Sequence, residues 1–149
     1  MIKILPNIYL STEFDVLNNN LVCDNIDTVL IFINDMGDMG DTNGICEQNI
    51  LTNKDNVLTI KNITQSYPIN FNFLEKIILD YLTYSKNLLI VSKDNLYGFT
   101  VISGFIMKYL GVTFIDIIIL SQHHKININN TLEYQELSNF NTLLQKNIN

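Results

Sequence analysis

Arginine, alanine and tryptophan are absent from this chain. Without arginine, no site can grip a phosphate or carboxylate with a planar, two-pronged guanidinium; all nine basic residues are lysines, point charges on flexible stems. Charged residues are sparse at 16%, and 15 acids against 9 bases give a formal net charge of −6. No basic cluster exists to meet a phosphate backbone, which argues against nucleic-acid binding. Cysteine occurs only as Cys23 and Cys46, too few and too far apart for a disulfide framework or a zinc cluster. Cys23 follows Leu21 and Val22 and reads as a small apolar core residue. Long hydrophobic runs are missing as well. Val29 to Ile33 and Ile117 to Leu120 are far too short to span a bilayer. The start of the chain, broken by Pro6, Asn7 and Glu13, lacks the apolar stretch of a signal peptide. These absences lead to the expectation of a cytoplasmic protein with no membrane segment.

Asparagine and isoleucine are abundant instead, a composition that suits a genome poor in G and C, as in some viruses and protists. At 149 residues and 47% hydrophobic, the chain fits one domain over residues 1–149. Ile8 to Leu10 reads as a short strand, and Ser11 offers an N-cap hydroxyl to a short helix reaching about Asn18, with Glu13 and Asp15 in its first turn. Val29 to Ile33 and Leu88 to Val91 are apolar runs of the length and β-branching of buried strands, and Val57 to Ile60 is a third candidate. From Phe71 to about Ser85, Phe73, Leu74, Ile77, Ile78, Tyr81 and Leu82 recur at spacings of three and four, which predicts an amphipathic helix. Further helices are expected over about Phe99 to Leu110, from a Thr113 cap to about His124, and over about Leu132 to Leu144. Strands alternating with helices predict an α/β domain with a mostly parallel central sheet flanked by helices.

Two groups of potential metal ligands fail on geometry. Adjacent His123 and His124 on a helix point about 100° apart and cannot easily chelate one ion. Asp35, Asp38 and Asp41 recur every third residue, which is not the ligand spacing of an EF-hand loop; an acidic loop is the default. No metal and no cofactor is expected.

The informative unit is Leu88 to Leu110, a buried strand followed by a turn and a hydrophobic helix. Such a turn directs backbone N–H groups into one small bowl at a helix N-terminus, which suits an anion. The stretch Leu88-Leu89-Ile90-Val91-Ser92-Lys93-Asp94-Asn95-Leu96-Tyr97-Gly98-Phe99-Thr100 resembles the signature loop of dual-specificity protein phosphatases, in which a strand ends in His-Cys, five residues follow, and then come Arg and a hydroxyl residue. The resemblance continues in Ile4 to Ser11, like that family's opening strand and turn, and in Asn25 to Phe32, like the approach to its next buried strand. Ile106 to Gly111 looks like the end of its central helix, Thr113 like a helix-starting hydroxyl, and Tyr134 to Leu137 like its closing helix.

The resemblance implies the tyrosine-phosphatase type of fold and a catalytically inactive member. By position, the nucleophilic Cys corresponds to Ser92, the preceding His to Val91, the loop Gly to Asn95, the Arg to Gly98 and the following hydroxyl to Phe99. The general-acid Asp corresponds best to Thr64, with Asn62 second, and no Asp or Glu occurs from Lys61 to Asn70. A serine hydroxyl with no adjacent base is a poor nucleophile, glycine offers nothing to a phosphoryl group, and losing a general acid alone costs about 10²–10⁴-fold. The residues Ser92, Lys93, Asp94, Asn95, Leu96, Tyr97 and Gly98 would then form a vestigial phosphate loop, to which Asp94 brings an unfavourable negative charge. Tyr97 and Phe99 either fill the old pocket or form an exposed aromatic patch. The implied role is that of a pseudophosphatase: a scaffold, competitor or regulator binding a protein partner such as a phosphoprotein or an active phosphatase. Self-association into a homo-oligomer and residual phosphatase activity through Ser92 are the alternatives.

Overall fold

The structure, a computed structural model, describes residues 1–19, 26–33, 59–84 and 87–148. In chain order the elements are β1 (Ile2–Leu5), β2 (Ile8–Thr12), α1 (Glu13–Asn19), β3 (Thr28–Ile33), β4 (Thr59–Thr64), α2 (Phe71–Tyr84), β5 (Leu88–Ser92), α3 (Asn95–Leu110), α4 (Phe114–His123) and α5 (Leu132–Ile148). The strands form a five-stranded sheet in the order β1-β2-β5-β3-β4. β5 lies parallel between β2 and β3, β4 runs parallel to β3, and β1 pairs antiparallel with β2. This is the mostly parallel α/β architecture that the alternating pattern predicts.

A central strand buried on both faces favours a continuous apolar run, and β5 supplies one up to its last residue, Ser92: Leu88, Leu89, Ile90 and Val91 are all fully buried. Its two-residue period sorts these side chains. Leu88 and Ile90 join Ile8, Leu10, Leu30 and Phe32 in the larger core, which also contains residues of α2, α3, α4 and α5. Leu89 and Val91 join Val29, Ile31 and Val16 of α1 in a smaller core on the other face. α3 is buried from Tyr97 through Met107 and ends at Gly111, whose φ of 67° is the left-handed conformation that glycine adopts without strain. α4 is closed by a reciprocal cap between Thr113 and Asp116, as the hydroxyl-then-acid sequence suggests.

Several local expectations are corrected. The cap of α1 is Thr12, whose Oγ1 accepts from the Asp15 N–H at 3.1 Å; Ser11 is instead a buried residue of β2. The third strand candidate, Val57 to Ile60, is met at Thr59 and Ile60, its described residues, and the strand continues to Thr64, with Ile63 buried and Lys61, Asn62 and Thr64 exposed. β1 has no counterpart among the strands read from periodicity. α5 starts where expected and runs one turn further, to Ile148. α3 begins at Asn95, four residues before Phe99, with Asp94 as its N-cap. The seven-residue segment read as a vestigial phosphate loop is therefore mostly helix: only Lys93 and Asp94 lie between strand and helix. Cys23, Cys46, Asp35, Asp38, Asp41, Val57 and Leu58 fall outside the described residues.

Candidate functional site

The parallel strands β5, β3 and β4 end together on one edge of the sheet, which places Ser92, Ile33 and Thr64 at their carboxyl ends. In open α/β sheets this edge is where ligands bind. Thr64 pairs with Ile33, one strand beyond β5, and is exposed. Asn62 is exposed further back on the same strand. The link between the β4 end and the β5–α3 unit is Tyr97. Its phenol oxygen accepts from the Ser66 N–H at 3.2 Å and lies 3.3 Å from the Ser66 carbonyl, to which it donates. The ring sits between Phe32, with centroids 5.1 Å apart, and Tyr67, edge-on at 5.7 Å. Burial holds the Tyr97 phenol above its ordinary pKa, with the Ser66 hydrogen bonds opposing. Tyr97 and Phe99 do not form an exposed aromatic patch: both are buried in the larger core, Phe99 completely.

Ser92 is fully buried, and its hydroxyl is occupied. The Ser92 Oγ donates to the Asp94 carbonyl and accepts from the Gly98 N–H at 3.2 Å. Asp94 turns its Oδ1 onto the Leu96 N–H at 2.9 Å, the usual service of an N-cap carboxylate. Two of the N–H groups that open α3, those of Leu96 and Gly98, thus already have acceptors within the turn. Among the described residues, no histidine or carboxylate side chain is hydrogen-bonded to the Ser92 hydroxyl. Lys93 is exposed beside the turn, and its ammonium acts on Glu13 of α1. Burial raises the Glu13 pKa, and Lys93 offsets part of that rise.

Gly98 marks where α3 presses against the sheet. A Cβ there would stand 2.6 Å from Leu10 Cδ1, 3.0 Å from Ser92 Oγ and 3.2 Å from Ile90 Cγ2. Glycine is thus required by packing, with the helix backbone lying directly on β2 and β5. Asn95 is half-buried, and its Oδ1 has no hydrogen-bond partner.

Sequence reading missed a clasp beside this turn. Tyr67 donates its O–H to Glu133 Oε1 at 2.7 Å, and Glu136 Oε1 accepts from the Ile69 N–H at 2.8 Å, so two acids of α5 hold the segment that follows β4. Burial and Glu133 raise the Tyr67 pKa well above the ordinary tyrosine value. A second missed pair is Lys108–Glu75 at 2.6 Å, with Tyr109 donating to the same carboxylate oxygen at 3.3 Å. The one available signal was a glutamate at a buried helix position. Among the described residues, no group of three His, Cys, Asp or Glu side chains is placed to hold a metal. His123 and His124 stand edge-to-face with ring centroids 4.9 Å apart.

No family model matches the chain, and no curated protein sequence matches it. Solved structures do. A five-stranded, mostly parallel sheet, with this strand–turn–helix unit at its centre, is the fold of dual-specificity and tyrosine phosphatases. The chain is similar to human DUSP28, with a TM-score of 0.66 and 9% identity over 99% of both chains. It is also similar to the human tyrosine phosphatase-like serine/threonine/tyrosine-interacting protein, with a TM-score of 0.64 and 14% identity over 96% of both chains. A leucine rich repeat and phosphatase domain containing protein from Entamoeba histolytica gives a TM-score of 0.62 and 18% identity, covering 99% of this chain and 94% of that one. Among the described residues, no helix is long and apolar enough to cross a membrane.

Proposed function

We propose that this chain is a pseudophosphatase: a phosphatase-fold protein that performs no phosphoryl transfer and works by binding a protein partner. The observation that carries the reading is the closed β5–α3 turn. The hydroxyl at the end of the central strand is buried and engaged with Asp94 and Gly98, and the Asp94 carboxylate caps the helix where an incoming phosphate would seek its donors. A carboxylate there repels a dianion, and no arginine exists in the chain to offset it. Ser92 has no base within its hydrogen bonds, and Thr64 cannot serve as a general acid. One of the similar folds carries the name of a phosphatase-like interacting protein, and a role of that kind is the one proposed here, in the cytoplasm, with a phosphoprotein or an active phosphatase as the partner.

A turnover assay with an aryl phosphate tests the proposal. The wild-type protein is expected to match buffer. Hydrolysis above background that disappears in Ser92→Ala would end it.

Self-association has one observation in its favour. Ile115 and Ile119, one turn apart on α4, are 72% and 57% exposed. Light scattering after size exclusion distinguishes a monomer from an oligomer.

A further inference from the structure

A groove of about 280 Å³ lies between the start of α2 and the outer side of α5. Its lining includes Phe71 and Phe140, stacked with ring centroids 4.5 Å apart and planes 21° from parallel. Pro68 and Leu143 add apolar surface, and Leu143 is 56% exposed, a large aliphatic side chain left in water. Asn139 supplies a carboxamide at the exposed rim. Among the described residues lining the groove, Glu136 is the one formal charge. Its Oε1 is held by the Ile69 N–H, which fixes the carboxylate in place, and Glu133 lies one turn earlier on the same helix. Lys108, whose Nζ reaches Asn72 Oδ1 of the lining at 3.4 Å, is paired with Glu75 at 2.6 Å.

The exposed apolar surface of Pro68 and Leu143, beside a Glu136 carboxylate with no ion-pair partner among the described residues, selects its occupant by charge complementarity. A second copy of this chain, itself at a net charge of −6, is disfavoured there. We propose that this groove docks a short cationic, apolar segment of a partner protein, with a leucine- or phenylalanine-sized side chain against Pro68 and Leu143 and a lysine or arginine facing Glu136. The proposal rests on the binding-protein reading and gives it a place on the surface, away from the closed β5–α3 turn.

The test is an amide NMR titration of the full chain with a synthetic peptide of leucines flanked by arginines. A matched peptide with glutamates for arginines serves as the control. Saturable shifts at Asn139, Phe140 and Leu143 are expected, weakening as salt rises. They are expected to vanish in Leu143→Lys, an exposed change that leaves the melting temperature in place. Binding should be about fivefold weaker in Glu136→Gln, which keeps an oxygen for the Ile69 N–H while removing the charge. Absence of saturable binding, equal binding of the glutamate peptide, or shifts centred on Ile115 and Ile119 would each overturn the groove. Aryl phosphate turnover is read separately, so the groove can fail while the non-catalytic reading stands, and the reverse.

Discussion

The backbone N–H of Gly98 donates to the hydroxyl of Ser92 at 3.2 Å, across the point where α3 lies on β5. This bond joins the end of the central strand to the first turn of the following helix and uses a donor that an anion would otherwise seek. The same close approach leaves no room for a side chain at position 98.

Gly98→Ala should therefore destabilise the fold. Overpacking against fully buried Leu10 and Ile90 costs about 1–3 kcal/mol, against about 1 kcal/mol gained in helix propensity. The expected net loss is about 1 kcal/mol in urea unfolding, and Gly98→Arg should lose more. An alanine variant more stable than wild type would show that α3 does not press on the sheet there.

The Lys108–Glu75 pair predicts an asymmetry. Glu75 is buried, and its Oε2 already has no hydrogen-bond partner, whereas Lys108 is a third exposed. Lys108→Met leaves a buried carboxylate with only the Tyr109 hydrogen bond and should cost about 2 kcal/mol, reduced from the full buried-pair figure by that bond and by the exposure of the lysine. Glu75→Gln, which frees the lysine into solvent, should cost less. Denaturant midpoints of the two variants decide the order.

Tyr67→Phe should cost about 1 kcal/mol through loss of the bond to Glu133, the low side for a charged acceptor because the ring is 44% exposed. A double-mutant cycle with Glu133→Gln should show the two effects to be strongly non-additive, since they share one hydrogen bond. Additive effects would show that the clasp does not form.

Stability should also depend on pH through His124. Burial, and secondarily the neighbouring His123, lower its pKa in the folded state. The neutral ring is then favoured by folding. This contribution is present above the unfolded pKa, near 6.5, and is lost as pH falls through the folded value. The drop in melting temperature between neutral pH and mildly acid pH should be smaller in His124→Gln than in wild type. An equal drop would remove His124 from the account.

The parts of this fold that were legible in the sequence are those where one local pattern is enough. β5 is apolar from Leu88 to Val91 because both faces of the sheet are covered, and α2 buries Leu74 and Ile78 and half-buries Ile77, Tyr81 and Leu82 of the expected stripe, whereas Phe73 is exposed. Thr113 announces α4 because Asp116 completes the cap. The start of α3 is not legible because residues 92–98 resemble a phosphate loop. Asp94 is a good N-cap, and Tyr97 and Gly98 are drawn into the helix by packing on Phe32 and Leu10, contacts that no local pattern reveals. The continuation of β4 to Thr64 was not legible because Lys61 and Asn62 on its exposed positions interrupt the apolar run. The Tyr67–Glu133 and Ile69–Glu136 bonds join residues 66 and 67 positions apart, beyond the reach of any periodicity argument.

Inactivity turns on whether the chain's own atoms occupy the Leu96 and Gly98 donors of the β5–α3 turn. Titration of the amide resonances of Leu96 and Gly98 with inorganic phosphate, and separately with vanadate, reads this directly. Unchanged resonances at millimolar anion are the predicted result, and saturable shifts of both in the wild-type protein would contradict it.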